Sequence, residues 1–212
     1  MLAASVHQAN RDVVEMSQAN VQHKGMGSTV VVLKVVPAEG CVHICHVGDS
    51  RCYRVRDGVI GQLTNDHSLV SEVSEIAPWL TDAEVQELPT NVITRALGMA
   101  PDVVVDLLST PTQVGDVYLL CSDGLNGMVG DDEILDVLSR DESLEDICAG
   151  LIDKANGAGG VDNTTVVVAK IDEGDPDEDA PSSCVIDADD TVEVAALPPD
   201  AVPDGFPDSD RS

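Results

Sequence analysis

Residues 28–63 read STVVVLKVVPAEGCVHICHVGDSRCYRVRDGVIGQL. Ser28 to Val36 is almost continuously β-branched, and such residues favour the pleated, half-buried surface of a sheet. The Pro37-Ala38-Glu39-Gly40 turn separates it from a second apolar run, Val42 to Val47. Gly48-Asp49-Ser50-Arg51 leads into a third at Cys52 to Val55, and Asp57-Gly58 into a fourth at Val59 to Leu63. Connections this short exclude the long crossover that parallel strands require, so the four strands pair antiparallel.

On the N-terminal side, Leu2, Val6, Ala9, Val13 and Met16 repeat at the helical spacing, which predicts one amphipathic helix over 2–21, ended by Gly25-Met26-Gly27. Its first residue is already in phase with no capping residue before it, and the expectation is a domain shortened at its N-terminus. On the C-terminal side, residues 69–91 read as a mobile helical excursion around Thr81-Asp82-Ala83-Glu84. Strands are expected at 103–108 and 117–121, helices from Asp131 and from Ser143, and a last buried strand at Thr164 to Ile171. Separate runs of antiparallel strands and helices give an α+β layered domain over residues 1–171. Residues 172–212 hold six prolines and fourteen acids against Arg211, the composition of an acidic, disordered tail.

The 212 residues carry 39 acids and 11 bases, a net charge of −28, and no cluster of Lys or Arg. This excludes nucleic acid and anionic membranes as main partners. Aromatic residues make up 2%, so the core is built of aliphatic side chains and base stacking has no platform. There is no apolar run long enough to span a bilayer and no signal-peptide pattern. Six scattered cysteines, mostly within apolar runs, read as reduced thiols of a cytoplasmic protein. Cys41, His43 and Cys45 share one strand face, but no second Cys/His pair accompanies them, and core packing accounts for them better than zinc. His67 beside Asp66 reads as a polar hinge residue before it reads as a general acid.

Three aspartates stand where apolar strands meet turns: Asp49 in Gly48-Asp-Ser-Arg51, Asp123 in Cys121-Ser-Asp-Gly-Leu125, and Asp162 in Gly159-Gly-Val-Asp-Asn-Thr164. Carboxylates converging from distant strand ends would make an all-oxygen site for a hard cation such as Mg²⁺ or Mn²⁺. Each Asp alone is an ordinary turn residue.

In order, Gly25-Met-Gly-Ser-Thr-Val30, Gly48-Asp-Ser-Arg51, Leu63-Thr-Asn-Asp-His-Ser68, Ile93-Thr-Arg-Ala-Leu-Gly98, Cys121-Ser-Asp-Gly-Leu125 and Gly159-Gly-Val-Asp-Asn-Thr164 form a series. The series resembles the bacterial form of the protein phosphatase 2C (PPM-type) family of metal-dependent serine/threonine phosphatases, over residues 1 to about 171. The resemblance implies two antiparallel sheets sandwiched between helix layers, with a pair of Mn²⁺ or Mg²⁺ ions at one end. Matched by motif, Asp123 and Asp162 hold the first ion and Asp66 helps bind a third, weaker one beside the flap at 69–91. Asp49 and Arg51 are structural residues of their turn. The implied reaction is hydrolysis of phosphoserine and phosphothreonine on proteins by a metal-activated water, with a serine/threonine kinase as counterpart.

The family's opening strands, with a phosphate-clamping Arg and an Asp-Gly-x-Gly-Gly segment that bridges both ions, have no match here, and Gly127 stands where a further third-ion Asp is often found. The sequence therefore reads as a shortened family member. A phosphatase-like binding module without turnover, or a truncated remnant, is the alternative expectation.

Overall fold

The computed structural model describes residues 2–173; the acidic segment from 174 onward lies outside the described residues. Helix α1 (Leu2–Ala19) is followed by strands β1 (Val30–Val36), β2 (Cys41–Val47), β3 (Arg51–Arg56) and β4 (Val59–Gln62). Helices α2 (Leu69–Ile76) and α3 (Asp82–Gln86) form the excursion. Then come β5 (Asp106–Pro111), β6 (Val117–Cys121), α4 (Asp123–Asn126), α5 (Asp131–Leu138), α6 (Leu144–Gly157) and β7 (Val166–Lys170). Two sheets result, ordered β1-β2-β5 and β4-β3-β6-β7, with every pairing antiparallel. The expected α+β sandwich is present.

The period-two alternation of strand side chains sorts the aliphatic residues into layers. Val42 and Ile44 of β2, with Val31 and Leu33 of β1, face Cys52, Tyr118 and Leu120 between the sheets. The opposite face of β2, Cys45 and Val47, packs against Val6, Leu2 and Ala9 of α1. The outer face of the second sheet, Tyr53, Val55, Leu119 and Cys121, is covered by Leu125, Ile134, Val137, Ile147 and Leu151. The layers thus run helix, sheet, sheet, helices.

Several boundaries differ from the sequence expectation for identifiable reasons. Helix α1 stops at Ala19, because the Asn20 side chain caps a short 3-10 turn at Val21–His23 before the glycines are reached. Its stripe is buried only in its first half: Met16 is exposed, while buried Asn10 donates to the Ala100 and Pro101 carbonyls and accepts from Gly98 N–H. Strand β5 begins at Asp106 rather than 103, and Val103 and Val105 pack under α1 without strand pairing. The excursion holds a first helix, α2, capped by Ser68, ahead of the expected α3 with its Thr81–Glu84 capping box.

Candidate metal centre

Antiparallel pairing sets Cys121 at the end of β6 opposite Val166 at the start of β7. The residues just beyond those ends must therefore meet, although they are far apart in sequence. Ser122 N–H donates to Thr165 O at 3.1 Å, and Thr165 N–H donates to Ser122 Oγ at 3.0 Å. Ser122 Oγ–H reaches Asn163 O at 3.2 Å, and Thr164 Oγ1–H reaches Gly124 O at 3.1 Å. Asp123 opens α4 on one side of this clasp and Asp162 stands on the other; both are exposed. Asp162 Oδ1 accepts the Asn163 N–H at 2.6 Å, which orients the carboxylate.

Asp49 and Asp66 come to the same end of the sandwich from other segments. Asp49 lies in the crossing from β2 to β3, and Arg51, which follows it, pairs with Cys121. The Asp49 carboxyl is pushed above the ordinary carboxylate range, first by burial and then by the negative charges of Asp123 and Asp66. Arg51 grips both Asp66 oxygens, from Nε at 2.9 and 3.0 Å and from Nη2 at 2.6 Å, while its Nη1 donates to Tyr53 Oη at 2.8 Å. Gln62 donates to Asp66 Oδ1 at 3.1 Å. One guanidinium thus stands among three crowded carboxylates, with Asp162 across the clasp. Crowded oxygens of like charge fit a hard divalent cation. The thiols nearby do not compete as nucleophiles: burial pushes Cys52 and Cys121 up to about 12.

Among the described residues, two groups of three donor side chains come within 4.8 Å of one another, and both lie elsewhere: His46, His67 and Asp106, and Glu39, Cys41 and His43. In the first, buried His67 accepts the Gly48 N–H at Nδ1, 3.0 Å away, so its own proton is on Nε2, which faces Asp106 Oδ2 at 3.2 Å. With Nδ1 accepting, the ring would ligate a metal only by losing its Nε2 proton, and that buried Nε2 makes no hydrogen bond of good geometry. The nearby His67 Nε2–H and the charge of Arg95, whose Nη1 donates at 2.8 Å, outweigh burial and hold Asp106 at about 2. His46 stacks on His67 with ring centroids 4.6 Å apart and contacts Asn65 O at 2.7 Å through Nε2. His67 is a buried polar residue of the segment leading to α2, with His46 stacked on it. The strand pattern gave no signal for that stack, since the two rings belong to different segments.

Cys45 packs under α1 as expected, but Cys41 and His43 meet Glu39 rather than Cys45. The turn residue Glu39 was missed because nothing in the sequence shows which way a turn folds back.

Comparison with known proteins places this arrangement. The family model "Protein phosphatase 2C" matches residues 2–77. The serine/threonine phosphatase stp of Listeria monocytogenes is 36% identical over 171 residues, 81% of this chain and 67% of that protein. The S. agalactiae serine/threonine phosphatase structure superposes with a TM-score of 0.73 at 37% identity, covering 80% of this chain and 69% of that one. The catalytic domain of the serine threonine protein phosphatase PstP in complex with two manganese ions gives 0.72 at 32% identity, covering 81% and 70%. With its two antiparallel sheets, its helix layers and its series of aspartate motifs, the chain belongs to the protein phosphatase 2C family of serine/threonine phosphatases.

Proposed function

We propose that this chain hydrolyses phosphoserine and phosphothreonine esters on proteins, using Mn²⁺ or Mg²⁺ held at the acidic end of the sandwich. The observation that supports the proposal is the Ser122–Thr165 clasp, which joins the two segments that carry Asp123 and Asp162, with Asp49 close enough to Asp123 and Asp66 to feel their charge. Asp123 and Asp162 would hold the first ion. Asp66, whose two oxygens already accept four contacts from Arg51 and Gln62, would serve a third, weaker ion by exchanging some of them for the metal. Residues 2–171 act as one domain. The thiols among the described residues support a cytoplasmic setting, and a serine/threonine kinase is the natural counterpart.

When bound, such ions lower the pKa of water and neutralise phosphate oxygens as charge develops. The chain's own residues do three things. The clasp fixes the spacing of Asp123 and Asp162, Arg51 locks the orientation of Asp66, and burial keeps the nearby thiols protonated. Since a chain of charge −28 repels a phosphate dianion, binding such a substrate requires a local reversal of the field.

The test is phosphate release from a phosphothreonine peptide by the full chain with and without Mn²⁺. Turnover should require the metal, and Asp123→Asn and Asp162→Asn should each reduce it by at least ~100-fold. Absence of metal-dependent turnover in folded protein, or near-normal rates in either variant, would refute the assignment. Peptide binding without phosphate release would identify a phosphatase-like docking module instead.

A further inference from the structure

Glu39, Cys41 and His43 lie where the β1–β2 turn enters the central strand of the three-stranded sheet. The strand alternation puts Cys41 and His43 on one face. Gly40, in a left-handed conformation (φ 60°), turns Glu39 back toward them. Cys41 Sγ is 3.7 Å from Glu39 Oε2, and His43 Nε2 is 3.9 Å from the same oxygen. A tetrahedral ion with bonds of ~2.3 Å to sulfur and ~2.0 Å to nitrogen and oxygen places sulfur and oxygen ~3.5 Å apart and nitrogen and oxygen ~3.3 Å apart. The sulfur–oxygen edge exceeds this by about 0.2 Å and the nitrogen–oxygen edge by about 0.6 Å, so Glu39 and His43 must draw together on binding. His43 Nδ1 is in hydrogen-bond contact with Ser109 Oγ on β5, which leaves Nε2 facing Glu39. A second partner of this kind is what orients a metal-ligating histidine.

We propose that Glu39, Cys41 and His43 form a binding site for a borderline-soft divalent cation of the zinc class, with three protein ligands and a fourth position open to solvent. Thiolate and imidazole select such a cation over Mg²⁺ or Ca²⁺, so the site differs in chemistry from the all-oxygen aspartate centre. Cys41 is buried, but Glu39 is 41% exposed at its side chain and gives the ion a way in. Binding exchanges the Cys41 thiol proton for the metal–sulfur bond and releases that proton to solvent, with no change of oxidation state. The bound ion would fasten the turn to β2.

Co²⁺ titration of the full, reduced chain tests this. One equivalent should produce a thiolate-to-cobalt charge-transfer band with tetrahedral visible bands, and Zn²⁺ should abolish both. Cys41→Ser should remove the charge-transfer band. Glu39→Gln, a change at an exposed side chain that leaves the strand intact, should weaken Co²⁺ binding at least ~10-fold. The joint variant Asp123→Asn and Asp162→Asn should retain the spectrum. No charge-transfer band in a chain with native circular dichroism, an unchanged band in Cys41→Ser, or unchanged affinity in Glu39→Gln would overturn the proposal.

Discussion

Replacing Gly124 by alanine probes the clasp between Asp123 and Asp162. A methyl group on Gly124 would stand 2.4 Å from the Asn163 carbonyl oxygen, 2.9 Å from its carbon and 3.2 Å from Thr164 Cα. Carbon contacts are comfortable only near ~3.5 Å, so α4 and the loop before β7 must part by about 1 Å. The obstructing atoms are backbone and are held by the Ser122–Thr165 bonds, so no rotamer change can absorb the strain. A metal site tolerates errors of ~0.2 Å, several times less than this separation. The expected result is a stability loss of about 1–3 kcal/mol from overpacking, together with Mn²⁺ affinity reduced ~10–100-fold as one carboxylate leaves the shared point. Thermal melting and Mn²⁺ titration read the two effects separately. Gly130→Ala, whose methyl meets nothing within 4 Å, is the control. A folded Gly124→Ala chain that binds Mn²⁺ as tightly as the parent would refute the claim that the clasp sets the metal site.

Three further perturbations address the frame around that site. Ser122→Ala removes the acceptor of Thr165 N–H and the donor to Asn163 O, and should cost about 1–2 kcal/mol in a denaturant titration while weakening Mn²⁺ binding. Arg51→Lys keeps the charge but cannot reproduce the two-pronged grip on Asp66 or the bond to Tyr53 Oη; about 1–3 kcal/mol of stability should be lost, and a double-mutant cycle with Asp66→Asn should show coupling of similar size. Asp116 is buried at the β5–β6 turn. Burial alone would raise its pKa, but bonds from Arg56, Gln113 N–H and Thr112 outweigh it and hold the carboxyl at about 2. The depressed value means that its contribution, about 2 kcal/mol, is complete above the unfolded pKa of ~3.9 and is lost as pH falls from there through 2. Asp116→Asn should destabilise the chain at neutral pH and flatten the fall in stability over that acid range. The slope left over belongs in part to Asp106, also near 2. An unchanged acid slope would count against this assignment.

The strands were legible because their aliphatic residues alternate on a period that only a two-faced sheet satisfies. That Cys41, His43 and Cys45 share one face of β2 could be read from the sequence; which face turns to the second sheet and which to α1 could not, because both are buried. The antiparallel order followed from turn length, and Asp57-Gly58 does carry positive φ at both residues, at 51° and 74°. Of the candidate site, the sequence showed Asp49, Asp123 and Asp162 as Gly- or Asn-flanked residues at strand ends, and Asp66 only through its motif. What escaped were contacts between segments. The burial of Asn10 depends on carbonyls some ninety residues away. The grip of Arg51 on Asp66 depends on how the chain returns after β4, and the meeting of Glu39 with Cys41 and His43 on the handedness of one glycine. Periodicity records which face a residue takes, but not what another segment brings to that face.

Strand pairing and charge crowding act against each other at the acidic end of the sandwich. The register of β6 against β7 and of β3 against β6 is fixed by apolar cores that run along the strands up to the aspartate loops, with Cys121 and Leu125 on either side of Asp123. Those cores can therefore hold like charges near one another, and the Asp49 carboxyl is raised first by its burial and then by the charges of Asp123 and Asp66. Arg51 grips Asp66 directly and offsets part of the charge felt by Asp49, whose carboxyl still stays raised. A divalent cation would relieve the remainder, and whatever binds the folded state alone also stabilises it. The aliphatic layers thus do more than support the loops, because they keep the carboxylates crowded at strand ends, where a hard cation can bind them.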